Sequence, residues 1–204
     1  MNVDVVMNSA PVIPVLVLDG SVDPVALAET LVEAGLPVIE VTLRTASALD
    51  AIRAMSRVTG AIVGAGTVLN DRMLGEAIDA GSKFVISPGL TENLGKAAVA
   101  SGVPFLPGVA NAGDIMRGLD LGLNRFKFFP AEASGGIAAL KAISGPFGHV
   151  KFCPTGGVRE ETAAQWLALD NVSCVGGSWL LKAGETDLAA ISERARRAAQ
   201  LASF

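Results

Sequence analysis

The chain reads as an α/β protein, a (β/α)8 TIM barrel in a single domain over residues 1–204, and three observations predict it. Short apolar runs alternate with helical segments along the whole length, with no linker between them. Eight such strand–helix units recur at intervals of roughly 20–26 residues, the rhythm of a closed parallel sheet. Most runs end in glycine, proline or small residues: Gly64-Ala65-Gly66-Thr67, Ser87-Pro88-Gly89, Pro107-Gly108, Thr155-Gly156-Gly157 and Gly176-Gly177-Ser178. In a barrel these exits gather at one mouth, where active sites are built. The length suits the fold, whose lower limit is about 200 residues. An open doubly wound sheet is the alternative, but it would announce a Gly-x-Gly-x-x-Gly turn after the first strand. Leu18-Asp19-Gly20-Ser21 stands there instead.

Strands are expected near 12–18, 38–43, 61–65, 84–87, 104–108, 125–129, 151–154 and 172–176. Asp23-Pro24 opens the first helix as cap and first helical residue, and Gly35 closes it. Thr45 is the expected cap of the second, whose end is marked by Gly60. Asn70 to Gly81, Thr91 to Gly102 and Asn111 to Gly122 repeat the pattern. The last helix carries Arg194, Arg196 and Arg197, read as a solvated basic end that favours the helix dipole.

Half of the residues are hydrophobic and 18% are charged, which excludes a disordered chain. The net charge of −4 and the absence of a Lys/Arg run argue against nucleic acid as a partner. The first basic side chain is Arg44, so the start lacks the cationic end of a secretory signal. The apolar stretch from Pro11 to Leu18 is too short for a membrane span. A cytoplasmic protein follows, with Cys153 and Cys174 as buried free thiols. The single histidine, His149, and the lack of spaced Cys/His pairs give no metal site.

Lys127 carries the sharpest functional reading, because it sits inside the apolar strand Arg125-Phe126-Lys127-Phe128-Phe129-Pro130. Desolvation favours the neutral amine, and a neutral lysine amine attacks carbonyl carbon. Lys83 and Lys151 stand at strand entrances, where a lysine can snorkel to bulk water. Lys96, Lys141 and Lys182 fall on helices or loops. Lys127 could also be a purely structural cation paired with an acid.

That acid would be Glu40, in Pro37-Val38-Ile39-Glu40-Val41-Thr42-Leu43-Arg44. Side chains alternate along a strand, so Glu40, Thr42 and Arg44 share the inward face while Ile39, Val41 and Leu43 meet the helices. Arg44 then stands nearest the mouth, with Glu40 roughly 13 Å deeper. A buried Glu40–Arg44 pair that merely organises the core is the competing interpretation. The chain contains no tyrosine, and Glu132 is a weaker acid/base candidate. Gly156-Gly157 and Gly176-Gly177-Ser178 place bare backbone N–H groups together, and Ser178 to Leu181 could form a short helix aimed at a phosphate. Glycines at strand exits can equally be plain turns.

At these residues the chain resembles the 2-keto-3-deoxy-6-phosphogluconate (KDPG) and 4-hydroxy-2-oxoglutarate aldolases. The likeness rests on the segments Gly35 to Arg44, Gly64 to Leu69, Ser87-Pro88-Gly89, Phe126 to Glu132, Cys153 to Gly157 and Gly176 to Trp179, in order along nearly the whole chain. It implies Lys127 as the Schiff-base lysine and Glu40 as the general acid/base. Arg44 and Thr67 would hold the substrate carboxylate, and Pro88, Phe129 and Thr155 would line the pocket. Backbone at Gly156, Gly157, Gly176 and Gly177 and the Ser178 hydroxyl would take the phosphate. Asn111 departs from the small hydroxyl residue expected there, though asparagine caps a helix as well. The resemblance also implies a homotrimer, a keto-acid phosphate substrate and no metal or organic cofactor. Expected alternatives are a galactonate-epimer aldolase, a sugar-phosphate isomerase using Glu40 as base, and a non-catalytic phosphometabolite-binding barrel.

Overall fold

The computed structural model describes residues 1–201. Along the chain run α1 (Val3–Asn8), β1 (Val12–Leu16), α2 (Pro24–Glu33), β2 (Val38–Thr42), α3 (Ala48–Met55), β3 (Ile62–Gly66) and α4 (Asp71–Asp79). Then follow β4 (Val85–Ile86), α5 (Glu92–Ser101), β5 (Phe105–Leu106), β6 (Gly108–Val109), α6 (Ala112–Asp120), β7 (Arg125–Phe128) and α7 (Gly136–Ser144). The chain ends with β8 (Lys151–Pro154), α8 (Glu160–Leu167), β9 (Val175–Gly177) and α9 (Leu188–Ala199).

All strand pairing is parallel, in one sheet ordered β5-β4-β3-β2-β1-β9 and a second ordered β6-β7-β8. The two sheets are one curled layer. At one side Pro107 alone separates β5 from β6, dividing the strand expected at 104–108. Proline brings no N–H to a ladder, yet its carbonyl still accepts from Lys127 N at 2.9 Å. At the other side, bridges Phe152↔Val172 and Thr155↔Gly176 join β8 to the chain around β9. The expected strand at 172–176 is thus an isolated bridge followed by a strand from Val175.

The helix punctuation holds in most places. Asp23, Asn70, Thr91 and Asn111 each accept a backbone N–H of the first turn, and Gly102 ends α5 in the left-handed region. Asn111 therefore serves as a cap despite its departure from the expected hydroxyl. The second cap is a correction: Ser47, not Thr45, precedes α3, because the chain makes an extra turn after β2. The Ser47 hydroxyl donates instead to the Leu18 carbonyl at 3.2 Å, so α3 starts without a side-chain cap. That helix also ends at Met55, ahead of Gly60. Arg194 corrects the reading of α9 as a solvated basic end. It is largely buried and donates to Glu185 at 2.5 Å and to the Leu180 carbonyl at 3.1 Å.

Two apolar clusters follow from strand alternation. Outward residues such as Ile39 and Val41 pack under the helices. Inward residues Ile13, Val38, Phe84, Ile86, Leu106, Cys153 and Cys174 form a second cluster with Val6 and Met7 of α1. Sequence reading assigned no element to α1, yet it closes this end of the sheet. Asn2 caps it through Val5 N, and Asp4 accepts from Arg125 Nε of β7 at 2.6 Å. The cysteines are free and buried, as expected. A hydrogen bond with Cys153, reinforced by burial, pushes the Cys174 thiol well above its ordinary range, so it stays protonated and inert.

Among the described residues, no group of three or more His, Cys, Asp or Glu is placed to hold a metal ion, and no helix is long and apolar enough to cross a membrane.

Candidate active site

The middle of β7 places Lys127 on the inner face, where 5% of its surface is exposed, and β2 does the same for Glu40 at 2%. The Lys127 Nζ lies 3.1 Å from Glu40 Oε1 and 3.3 Å from Oε2. Two buried opposite charges within hydrogen-bond reach can exchange a proton without solvent. The strand register explains how Glu40 reaches this height. Glu40 pairs with Gly64 and Thr42 with Gly66, one step nearer the mouth. A Cβ on Gly66 would collide with the Glu40 carboxylate, so the side chain leans up the axis into the space that glycine leaves.

Phe129 borders the amine, and Pro88 stands beside Gly108 on the neighbouring strand. The Phe129 ring centroid is 5.3 Å from Lys127 Nζ, within cation–π reach. Lys127 pairs with Gly108 across the sheet, and a Cβ on Gly108 would strike the Pro88 carbonyl. The turn carrying Pro88 is held by Ser87, whose buried hydroxyl donates to the Gly89 carbonyl at 2.6 Å.

Arg44 is a correction. It is exposed and lies past the end of β2, because the chain turns after Thr42. It therefore does not pair with Glu40; its Nε donates to Thr67 Oγ1 at 3.2 Å. Thr67 has a φ of 61°, the one positive value outside glycine among the described residues, which turns its side chain toward Arg44 at the cost of backbone strain. This contact engages Nε alone, and a guanidinium fork is the group suited to bidentate carboxylate contact.

On the opposite flank, Thr155 is buried, and its side chain fills the space over Gly176 that a Cβ would need. The bridge between these residues brings the exits of β8 and β9 side by side. Gly156 and Gly157 have φ of 96° and 84°, open only to glycine without strain. The Phe129 ring also borders Gly156, so the glycine turn and the amine share one wall. The short helix expected from Ser178 is absent; this segment is a turn. Arg194 takes the Leu180 carbonyl and the Glu185 carboxylate takes Lys182 N, which diverts the backbone from helical pairing. Gly177 is buried while Ser178 remains exposed at the mouth.

Sequence reasoning missed two roles, Gly66 and Gly176 as recesses for neighbouring side chains; Glu132, the weaker acid/base candidate, accepts from Trp166 Nε1 at 3.2 Å. The motif Gly64 to Thr67 pointed to the first, but only the register across strands gives its reason.

Fold and site together define a class: a parallel α/β protein with a buried amine–carboxylate pair at its open end, equipped for carbonyl chemistry. The comparisons carry this further. A family profile described as "KDPG and KHG aldolase" matches residues 3–194, and the chain belongs to that family. It is 55% identical over 197 residues to a 2-dehydro-3-deoxy-phosphogluconate aldolase of Zymomonas mobilis, covering 97% of this chain and 95% of that one. The crystal structure of the KDPG aldolase of Zymomonas mobilis ZM4 with 3-phosphoglycerate superposes with a TM-score of 0.96 at 54% identity, covering 98% of this chain and 96% of that one. The KHG/KDPG aldolase of Escherichia coli K12 is 50% identical over 201 residues, 96% of this chain and 93% of its own. A Legionella pneumophila KDPG aldolase, solved with pyruvate captured as a covalent carbinolamine, gives a TM-score of 0.94 at 42% identity, covering 98% of this chain and 99% of that one.

Proposed function

We propose that this chain is a Schiff-base aldolase that cleaves 2-dehydro-3-deoxy-6-phosphogluconate to pyruvate and glyceraldehyde 3-phosphate, and that it also acts on 4-hydroxy-2-oxoglutarate. The observation that carries the reading is the buried Lys127–Glu40 pair in a chain more than half identical to a KDPG aldolase.

In this mechanism Glu40 takes a proton from the Lys127 ammonium across the 3.1 Å contact, freeing the amine. The nitrogen lone pair adds to the substrate C2 carbonyl, giving a carbinolamine whose hydroxyl takes the proton back from Glu40 and leaves as water, forming an iminium and freeing the carboxylate. Removal of the C4 hydroxyl proton by Glu40 breaks the C3–C4 bond. The electron pair flows into the iminium, glyceraldehyde 3-phosphate leaves, and an enamine remains. Protonation at C3 and addition of water release pyruvate and the lysine. Arg44 and Thr67 hold the C1 carboxylate, a bidentate contact that orients the reacting carbon. Pro88, Phe129 and Thr155 line the pocket. Backbone at Gly156, Gly157, Gly176 and Gly177, with the Ser178 hydroxyl, receives the phosphate. The lysine and glutamate supply the electron sink and the proton transfers, so the reaction needs no metal or organic cofactor.

The rest of the reading is structural. The two bridges at the β8–β9 edge and the near-continuity of β5 with β6 support a closed (β/α)8 barrel forming one catalytic domain over 1–204. We extend the proposal to a homotrimer in the cytoplasm.

The test is borohydride reduction with pyruvate, followed by peptide mass mapping. A single adduct on Lys127 is expected. Glu40→Gln should still form the adduct yet lose cleavage by about 10²–10⁴-fold in kcat. An adduct on another lysine, or full cleavage by Glu40→Gln, would overturn the assignment.

A further inference from the structure

Glu132 has no part in the chemistry above, yet its surroundings are too organised for a loop residue. It follows β7 in an exposed turn, and its Oε1 accepts the indole N–H of Trp166 at 3.2 Å. Trp166 comes from α8, the helix after the Gly156-Gly157 turn, and is wholly buried with its ring against Phe128. The backbone repeats the connection: Ala131 N donates to Thr155 O at 2.8 Å and Glu132 N to Gly156 O at 3.0 Å. The stem of Glu132 also lies directly over Gly157. A Cβ built there would stand 2.6 Å from Glu132 Cβ and 2.7 Å from its Cγ. The glycine turn is therefore clasped from one side by Glu132, and Glu132 is itself fixed by a rigid indole.

We propose that the Glu132–Trp166 pair is a positioning device that holds the Gly156-Gly157 turn in its anion-receiving shape, and so sets how well the enzyme recognises the phosphorylated end of its substrate. Glu132 touches neither the reacting atoms nor the phosphate. It acts through the turn, by accepting one hydrogen bond and packing over Gly157. A turn whose residues sit at φ of 96° and 84° has many alternatives open to it once that clasp is gone. Disorder there weakens phosphate capture while leaving the Lys127–Glu40 pair on its own strands. This inference rests on the phosphate site proposed above and gives it a determinant.

The experiment compares two substrates that differ at the phosphate end. For Glu132→Ala, KM for 2-dehydro-3-deoxy-6-phosphogluconate should rise about five- to tenfold with kcat little changed, the effect of one lost hydrogen bond and its packing. The kcat/KM for unphosphorylated 4-hydroxy-2-oxoglutarate should stay within about twofold. Trp166→Phe, which keeps the ring and removes the donor, should shift KM the same way by less. Glu132→Gln, whose amide oxygen can still accept the indole N–H, should restore the wild-type KM. Equal loss on both substrates, loss on neither, or a Glu132→Gln variant as impaired as Glu132→Ala would overturn the proposal. Inorganic phosphate competition in the wild type separates the two levels. If phosphate does not compete there, the phosphate site itself is wrong and this inference falls with it. If it competes and the variants show no substrate split, only the clasp is wrong.

Discussion

Two layers of side chains fill the inside of the curled sheet, two residues apart along the strands and their exits. The lower layer takes Val38 from β2, Ile86 from β4, Leu106 from β5 and Cys153 from β8, and α1 seals it with Val6 and Met7. The upper layer continues each strand inward with Glu40, Pro88, Gly108 and Thr155, joined by Lys127 from β7. Burial does not separate the layers, since Glu40 in the upper and Cys153 in the lower are each 2% exposed. What differs is how each layer meets the requirement of being dry. The lower one fills its volume with apolar atoms. The upper one holds a charge against its opposite and leaves space with glycine. Apolar packing fills one layer, and the proposed chemistry stands in the other.

That contrast can be broken most forcefully at Lys127. Lys127→Met should abolish cleavage and the trapped pyruvate adduct. It should also lower unfolding free energy by about 3–5 kcal/mol, because Glu40 is left as an uncompensated buried charge. Adding Glu40→Leu should return most of that stability and none of the activity. Urea melts of the single and double variants check this, and equal stability of Lys127→Met and wild type would show that the pair is not a coupled charge.

The floor gives the reverse outcome. Met7→Ala should cost about 2–5 kcal/mol through lost burial and a cavity, with kcat of the folded enzyme within twofold. A fall in kcat measured well below the melting range would mean that the layers are not independent.

The smallest effect lies outside both layers. The hydrogen bond from Arg194, aided by the Lys182 N–H and opposed by burial, holds the Glu185 carboxyl below its ordinary value. A carboxyl depressed in the folded state contributes stability above its unfolded pKa, lost as pH falls through the folded one. Arg194→Gln should therefore be less stable than wild type by about 1 kcal/mol at neutral pH. The gap should narrow toward the acid end, as followed by thermal melts across pH. A gap that stays constant with pH would place its origin in packing.

Much of this was legible in the chain itself. A lysine between phenylalanines and a glutamate in an alternating strand stand out locally, and residues with short polar side chains at Asp23, Asn70, Thr91 and Asn111 mark helix starts by chemistry that acts over three residues. What failed depends on distant partners. The helix expected from Ser178 is lost to Arg194 and Glu185, which lie in later segments. Arg44 lies off the strand because β2 ends at Thr42, one residue sooner than its apolar pattern suggests. α1 is too short for a helical period to emerge, and only its contact with the sheet floor explains Val6 and Met7. The height reached by Glu40 depends on Gly66, a neighbour only once the register is set.

The sealed floor has a consequence for traffic. With Val6 and Met7 of α1 packed against one end of the sheet, approach to Lys127 is confined to the opposite end. The aldehyde fragment must leave by the route through which the hydrolytic water arrives. Departure of the aldehyde therefore precedes release of pyruvate, which stays bonded to the lysine until that water adds.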